Sequence, residues 1–177
     1  MEYYNKNIQL DKDVIKDVFT EIKLDTKMLV FGLGHDSKMW YESVGKNAFF
    51  IENNDSYIDL NKNHISENNI IKYNYETTCL SSFNLSDDTI KNFMIPEKIM
   101  NEAPFDIIII DGPEGFSSIK PGRLIPCYWS TLLSKPGTII YIDDANRNLE
   151  KFCIEKYFKN NVKKEFHKRN KCVKIYI

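Results

Sequence analysis

The stretch "FDIIIIDGPEG", Phe105 to Gly115, constrains this chain more than any other. Its four consecutive isoleucines show no polar alternation, so neither face of the segment is built to meet water. A run that short, closed by Asp-Gly-Pro, reads as a parallel strand covered on both sides. Parallel strands need long crossovers, so strands and helices should alternate along the remainder of the sequence.

They do. "LDKDVIKDVFTEIKL" sets Val14, Ile15, Val18, Phe19 and Ile22 at helical spacing. "KMLVFGL" is a first strand, and "DSKMWYESV" a helix with Asp36 or Ser37 as its cap. "NAFFIEN" and "IIKYNYET" are the second and third strands, with the short helix "DSYIDLNKNH" between them. "LSDDTIKNFMIPEKIMNEAP" is a helical connection broken at Pro96, leading to the isoleucine strand. "GRLIPCYWSTLL" is a helix despite Pro126, "GTIIYIDDA" the fifth strand and "NLEKFCIEKYF" a helix. "VKKEFHKR" and "CVKIYI" close the chain as a strand pair. The predicted fold is a Rossmann-like, doubly wound α/β domain, its seven-stranded sheet mainly parallel with an antiparallel terminal strand. Length allows one domain over 1–177, a helical extension at 1–27 preceding a core at 28–177.

In such a sheet ligands bind beyond the carboxyl ends of the strands, next to the first one. The first strand ends in Gly32-Leu33-Gly34, a turn through which a ligand approaches the backbone closely. A dinucleotide would place its pyrophosphate on the following helix. Here His35-Asp36-Ser37 puts a carboxylate there and the third glycine is missing, which disfavours NAD. Asp36 repels a pyrophosphate but suits a ligand carrying an ammonium and a sulfonium. Glu52 and Asn53 end the second strand, where a carboxylate accepts hydrogen bonds from ribose hydroxyls. Asp111 ends the fourth strand and Asp143-Asp144 the fifth. Three converging carboxylates call for positive charge, either a divalent cation (Mg, Mn or Co) on Asp111, Asp143 and Asp144, or pairing with Arg147.

Composition excludes other classes. The net charge of -1, from 24 basic and 25 acidic residues, provides no field for nucleic acid or an anionic membrane. Cys79, Cys127, Cys153 and Cys172 form no CxxC pair and read as buried, reduced thiols. No 18-residue apolar run occurs, so the expectation is a soluble protein without a membrane anchor, in a reducing compartment such as the cytoplasm.

"VFGLGHDSKMW", "FFIENNDSY", "FDIIIIDGPEGF" with "PGRLIPCYW", and "IDDANRNLEKF" resemble the plant glucuronoxylan 4-O-methyltransferase family from about Met28 onward. The resemblance implies a class I S-adenosylmethionine-dependent methyltransferase acting on the 4-hydroxyl of glucuronic acid. Gly32, Gly34, His35, Asp36 and Ser37 would line the methionine end of the cofactor, Glu52 its ribose, and Tyr75, Glu76 or Thr77 its adenine. Asp111 would face the transferred methyl as the base, with Glu114 and His35 as alternatives. Lys120 and Arg123 of "SSIKPGR" would bind a uronate carboxylate, as would Arg147. The family's pattern has His at the position of Asp143 and Asp at that of Asn146, so a metal-binding pair is not inherited. The acidic set instead resembles catechol-type and antibiotic-sugar O-methyltransferases. Because the plant enzymes carry an anchor and stem, a nucleotide-linked sugar or another glycan competes with xylan as the acceptor. A metal-dependent methyltransferase of a non-sugar small molecule and a non-catalytic cofactor-binding module are the other readings.

Overall fold

Side chains alternating along the central strands decide the layering. The computed structural model describes residues 7–167 and 171–177 of the chain. The strands are β1 (Met28–Phe31), β2 (Ala48–Glu52), β3 (Ile70–Lys72), β4 (Ile107–Ile110), β5 (Ile139–Ile142), β6 (Val162–Phe166) and β7 (Cys172–Tyr176). The helices are α1 (Lys12–Glu21), α2 (Ser37–Val44), α3 (Asp55–Asn61), α4 (Cys79–Ser82), α5 (Asp87–Lys91), α6 (Glu97–Glu102), α7 (Leu124–Leu133) and α8 (Asn148–Phe158). In β4, Ile108 and Ile110 join a core with Leu29, Phe31 and the α7–α8 residues Trp129, Leu133 and Cys153. Ile107 and Ile109 join the opposite core, with Met28, Val30 and the α1–α2 residues Val14, Val18 and Trp40. The four isoleucines thus serve two cores, which is why no polar residue interrupts them.

The sheet runs β3-β2-β1-β4-β5-β7-β6. The pairs from β3 to β5 are parallel, while β7 is antiparallel to both β5 and β6. This is the expected Rossmann-like, doubly wound and mainly parallel arrangement, with its reversal of strand order between β1 and β4. Cys79, Cys127, Cys153 and Cys172 are free and buried, and none of the described helices is long and apolar enough to cross a membrane.

Several elements depart from the sequence reading for local reasons. The third strand stops at Lys72, because β2, its one partner among the described strands, ends at Glu52 opposite it. The Pro96 break yields two short helices, α5 and α6, with Pro96 itself at the N-cap of α6. Pro126 is tolerated because it lies in the first turn of α7, where backbone N–H groups lack helical acceptors. In the closing pair, Lys168 and Arg169 lie outside the described residues.

The segment preceding β1 is packed onto the sheet. Phe19 of α1 meets Trp40 of α2 with ring centroids 5.6 Å apart. Asp17 accepts from Lys174 Nζ at 2.7 Å, Lys164 Nζ at 2.6 Å and the Tyr141 hydroxyl at 2.8 Å. Lys174 also donates to Glu21 at 2.6 Å. These bonds hold α1 against β5, β6 and β7, and the buried ammonium has carboxylate partners.

Parallel register brings the strand ends level. Phe31 is opposite both Ile51 and Ile110, and Ile110 is opposite Ile142. The next residues, Gly32, Glu52, Asp111 and Asp143, therefore emerge side by side. Gly32 has φ 113°, and a Cβ on Gly112 would stand 2.9 Å from the Gly32 Cα. Two glycine backbones thus pass in contact where the strand order reverses, which no side chain permits. Gly112→Ala is expected to cost about 1–3 kcal/mol of stability through this overlap; an unchanged urea-unfolding midpoint would show that the crossing can relax.

Candidate active site

Beyond the strand ends lies a cavity of about 370 Å³. Its lining includes Gly32, Gly34, His35, Asp36, Glu52 and Asn53 from the β1 and β2 ends. Asp111, Glu114, Arg123, Asp143, Asp144 and Arg147 line it from the β4 and β5 side. Most of the residues singled out in the sequence therefore share one chamber. Ser37, Thr77 and Lys120 are not in the lining. Ser37 is fully buried with no partner for its hydroxyl, and Thr77 donates to the Pro121 carbonyl at 3.2 Å. Lys120 sits 3.9 Å from Glu114 and 5.3 Å above the Phe116 ring.

Glu52 buckles the β1 turn to the end of β2. One oxygen accepts from the Leu33 N–H at 2.8 Å, and the other from the N–H groups of Asn53 and Asn54 at 2.8 and 2.7 Å. Burial still raises its pKa above the usual carboxylate range, the three backbone donors opposing the rise. From the other side Asn61 supports the same turn, its amide donating to the Leu33 carbonyl at 3.0 Å. Nothing in the sequence marked Asn61, a polar residue at the end of a helix of only modest pattern.

Asp36 occupies the N-cap position of α2, but its side chain caps no backbone N–H, contrary to the sequence expectation. It accepts instead from the Trp40 indole at 2.8 Å. Trp40 is one turn along, and its buried N–H needs an acceptor. Burial raises the pKa of Asp36, opposed by that bond.

Arg123 organises the other half of the cavity. It is 2% exposed. Its guanidinium donates to the carbonyls of Asp143 and Asp111 and to the Asp144 carboxylate at 2.9 Å, and lies 3.3 Å from the Asp111 carboxylate. Asp144, at φ 54°, also takes Arg147 at 2.8 Å. Arg123, expected to bind a substrate carboxylate, has both its terminal nitrogens on the chain's own oxygens. Arg147, whose side chain is 30% exposed, is the guanidinium that can reach a ligand.

Oxygens of Asp111, Asp143 and Asp144 all come within 4.8 Å of one another. An all-oxygen set of this kind suits a hard divalent cation, although Arg123 already supplies one positive charge to it. Burial and the neighbouring charge of Asp143 push the Asp111 carboxyl well above its usual range, with Arg123 opposing. Burial likewise raises Asp143. Glu150, fully buried 4.0 Å from the Arg123 Nε, has no hydrogen-bond partner on either oxygen among the described residues, and burial raises it too.

Among the remaining lining residues, Asn7, Gln9, Tyr57 and Phe116 were given no role in the sequence reading. Phe116 lies in the quoted "DGPEGF" run but had no periodicity to mark it. Tyr57 meets His35 edge-on at 6.4 Å.

With this geometry, the relatives of the chain can be compared. It is 25% identical to glucuronoxylan 4-O-methyltransferase 1 of Arabidopsis thaliana, over 84% of this chain and 62% of that protein. Arabinogalactan O-methyltransferase 2 of the same plant is also 25% identical, over 92% of this chain and 65% of that protein. The chain is similar to plant polysaccharide O-methyltransferases. It spans less than two thirds of the length of these two relatives. No protein-family model matches it. Among solved structures, an O-methyltransferase from Bacillus cereus in complex with SAH superposes with a TM-score of 0.60 at 15% identity, covering 98% of this chain and 84% of that one. That likeness carries the fold.

Raised carboxyl pKa values have a signed consequence for stability. An unfolded Asp loses its proton near pH 3.9, whereas folded Asp111 holds it to higher pH. The folded state therefore binds more protons, and stability falls as pH rises through the folded-state pKa. Asp111→Asn removes this penalty. A gain of about 2–4 °C in Tm is expected at pH 8 for about 1 kcal/mol, shrinking at pH 5; calorimetric melts at the two pH values would expose an absent or reversed gain.

Proposed function

We propose that the chain is an S-adenosylmethionine-dependent O-methyltransferase whose acceptor is a sugar hydroxyl. The observation that carries this reading is the pair of buried carboxylates bracketing the β1 turn. Asp36 stands where a dinucleotide would place phosphate, and Glu52 stands where a nucleoside places its ribose. S-adenosylmethionine carries an ammonium, a sulfonium and a ribose but no phosphate, so it matches both. The Bacillus cereus structure holds SAH, and the plant relatives are named for methylation of glucuronoxylan and arabinogalactan, which favours the same class.

The cofactor would lie with its methionine end along Gly32 to Asp36 and its ribose at Glu52 and Asn53. When bound, it supplies an electrophilic methyl group. The chain's own residues then have to orient the acceptor and take its proton. Asp111 opens onto the cavity between the two halves and is the base in this reading; Glu114 and His35 also border the chamber. Its raised pKa makes the carboxylate a stronger proton acceptor than a free aspartate. Phe116, 68% exposed at the rim, offers a flat apolar face on which the C–H side of a sugar ring can rest. Arg147 supplies the cation for an acidic sugar such as glucuronic acid, free, glycan-bound or nucleotide-linked.

The oxygen cluster of Asp111, Asp143 and Asp144 favours a second reading, in which a divalent cation lowers the pKa of the acceptor hydroxyl. Arg123 argues for the metal-free form, since its single positive charge already sits between Asp111 and Asp144.

Titration calorimetry should show binding of SAH and none of NAD; the opposite result removes the proposal. Asp111→Asn is expected to abolish methyl transfer from labelled cofactor to glucuronic-acid-containing xylo-oligosaccharides, with SAH affinity within about tenfold of the parent, roughly 1.4 kcal/mol. Full turnover would take Asp111 out of the mechanism. Chelation by EDTA separates the metal-dependent form, which it would silence, from the metal-free one, whose rate it would leave intact.

A further inference from the structure

One wall of the cavity comes from the segment just ahead of α1. Ile8 and Leu10 are buried in the core that contains Val30, Leu33, Met39 and Trp40. Asn7 and Gln9, alternating with them, line the chamber. Alternation of this kind marks an extended strap with one side fixed in the core and the other facing a ligand. The strap then turns at Asp11, whose side chain caps α1 by accepting from Asp13 N–H at 2.8 Å.

The strap shares its core with Leu33 in the β1 turn, the turn that would take the methionine end of the cofactor.

We infer that Asn7 and Gln9, in the lining of the cavity, are binding residues for the amino-acid tail of the cofactor, their side-chain amides meeting its carboxylate and ammonium. An amide both donates and accepts, so it can serve either charge of a zwitterionic tail. This rests on the cofactor class proposed above, and goes beyond it by assigning a recognition element outside the strand-end loops.

The test compares two probes that differ in that tail, SAH and 5′-methylthioadenosine, by calorimetry on the full chain. For the Asn7→Ala/Gln9→Ala variant, SAH affinity is expected to fall by about tenfold or more, as for loss of hydrogen bonds to charged groups, with methylthioadenosine affinity unchanged. Unchanged SAH affinity overturns the inference and leaves the cofactor class standing. Equal losses for both probes also overturn it, because the strap would then act on the fold or the nucleoside end. Failure of the parent protein to bind either probe overturns the cofactor class itself. Should the double variant melt early, Gln9→Met, which keeps the side-chain length and removes the amide, repeats the comparison with the same assignment of outcomes.

Discussion

A guanidinium almost out of reach of water holds the carboxyl edge of this sheet together. Arg123 comes from the loop after β4 and reaches back to the carbonyls of Asp111 and Asp143 and to the carboxylate of Asp144. It ties two adjacent strand ends and the loop between them into one unit. A buried cation of this kind is costly unless it is fully paired; burial opposes its charge, but Asp111, Asp144, Asp143 and Glu150 together outweigh that cost. The same pairing lets three carboxyl groups crowd one side of a small cavity. Without it, the Asp111–Asp143 pair would have only protons or a metal ion to relieve its repulsion.

The parts of this arrangement that follow chain periodicity were legible in the sequence. Four isoleucines announced a strand covered on both faces, and parallel register then placed Gly32, Glu52, Asp111 and Asp143 along one edge. Residues placed by tertiary contact were less legible. Arg123 looked like a surface cation in a Pro-Gly-Arg loop, because nothing local shows that the loop folds inward. Asp36 looked like a helix cap; only the buried indole of Trp40 diverts its oxygen. Asn61 holds the β1 turn from a helix 28 residues away in sequence. Asn7 and Gln9 belong to a strap too short to show a period.

The two halves of the cavity are also built differently. On the β1–β2 side, Glu52 and Asn61 spend their hydrogen bonds on the backbone, which fixes the turn in shape. On the β4–β5 side the bonds of Arg123 are divided between backbone carbonyls and charged side chains, with Glu150 beneath them lacking a hydrogen-bond partner among the described residues. The first half is suited to recognising a fixed ligand. Carboxyl groups with raised pKa values stand in both halves; in the second, the charge of Asp143 adds to burial at Asp111.

The clasp of Asp17 and Glu21 around Lys174 bears on when this chamber can exist at all. The strap continues directly into α1, and α1 is fastened to β7, more than 150 residues further along the chain. A chain emerging from the ribosome would have made β1, α2 and most of the strand-end loops well before the lysine that clamps α1 appears. Contacts of such long sequence separation form late and slowly. Ligand capture would thus wait on β7, and a nascent or clipped chain lacking that strand would carry the loops of the site with one wall unfastened.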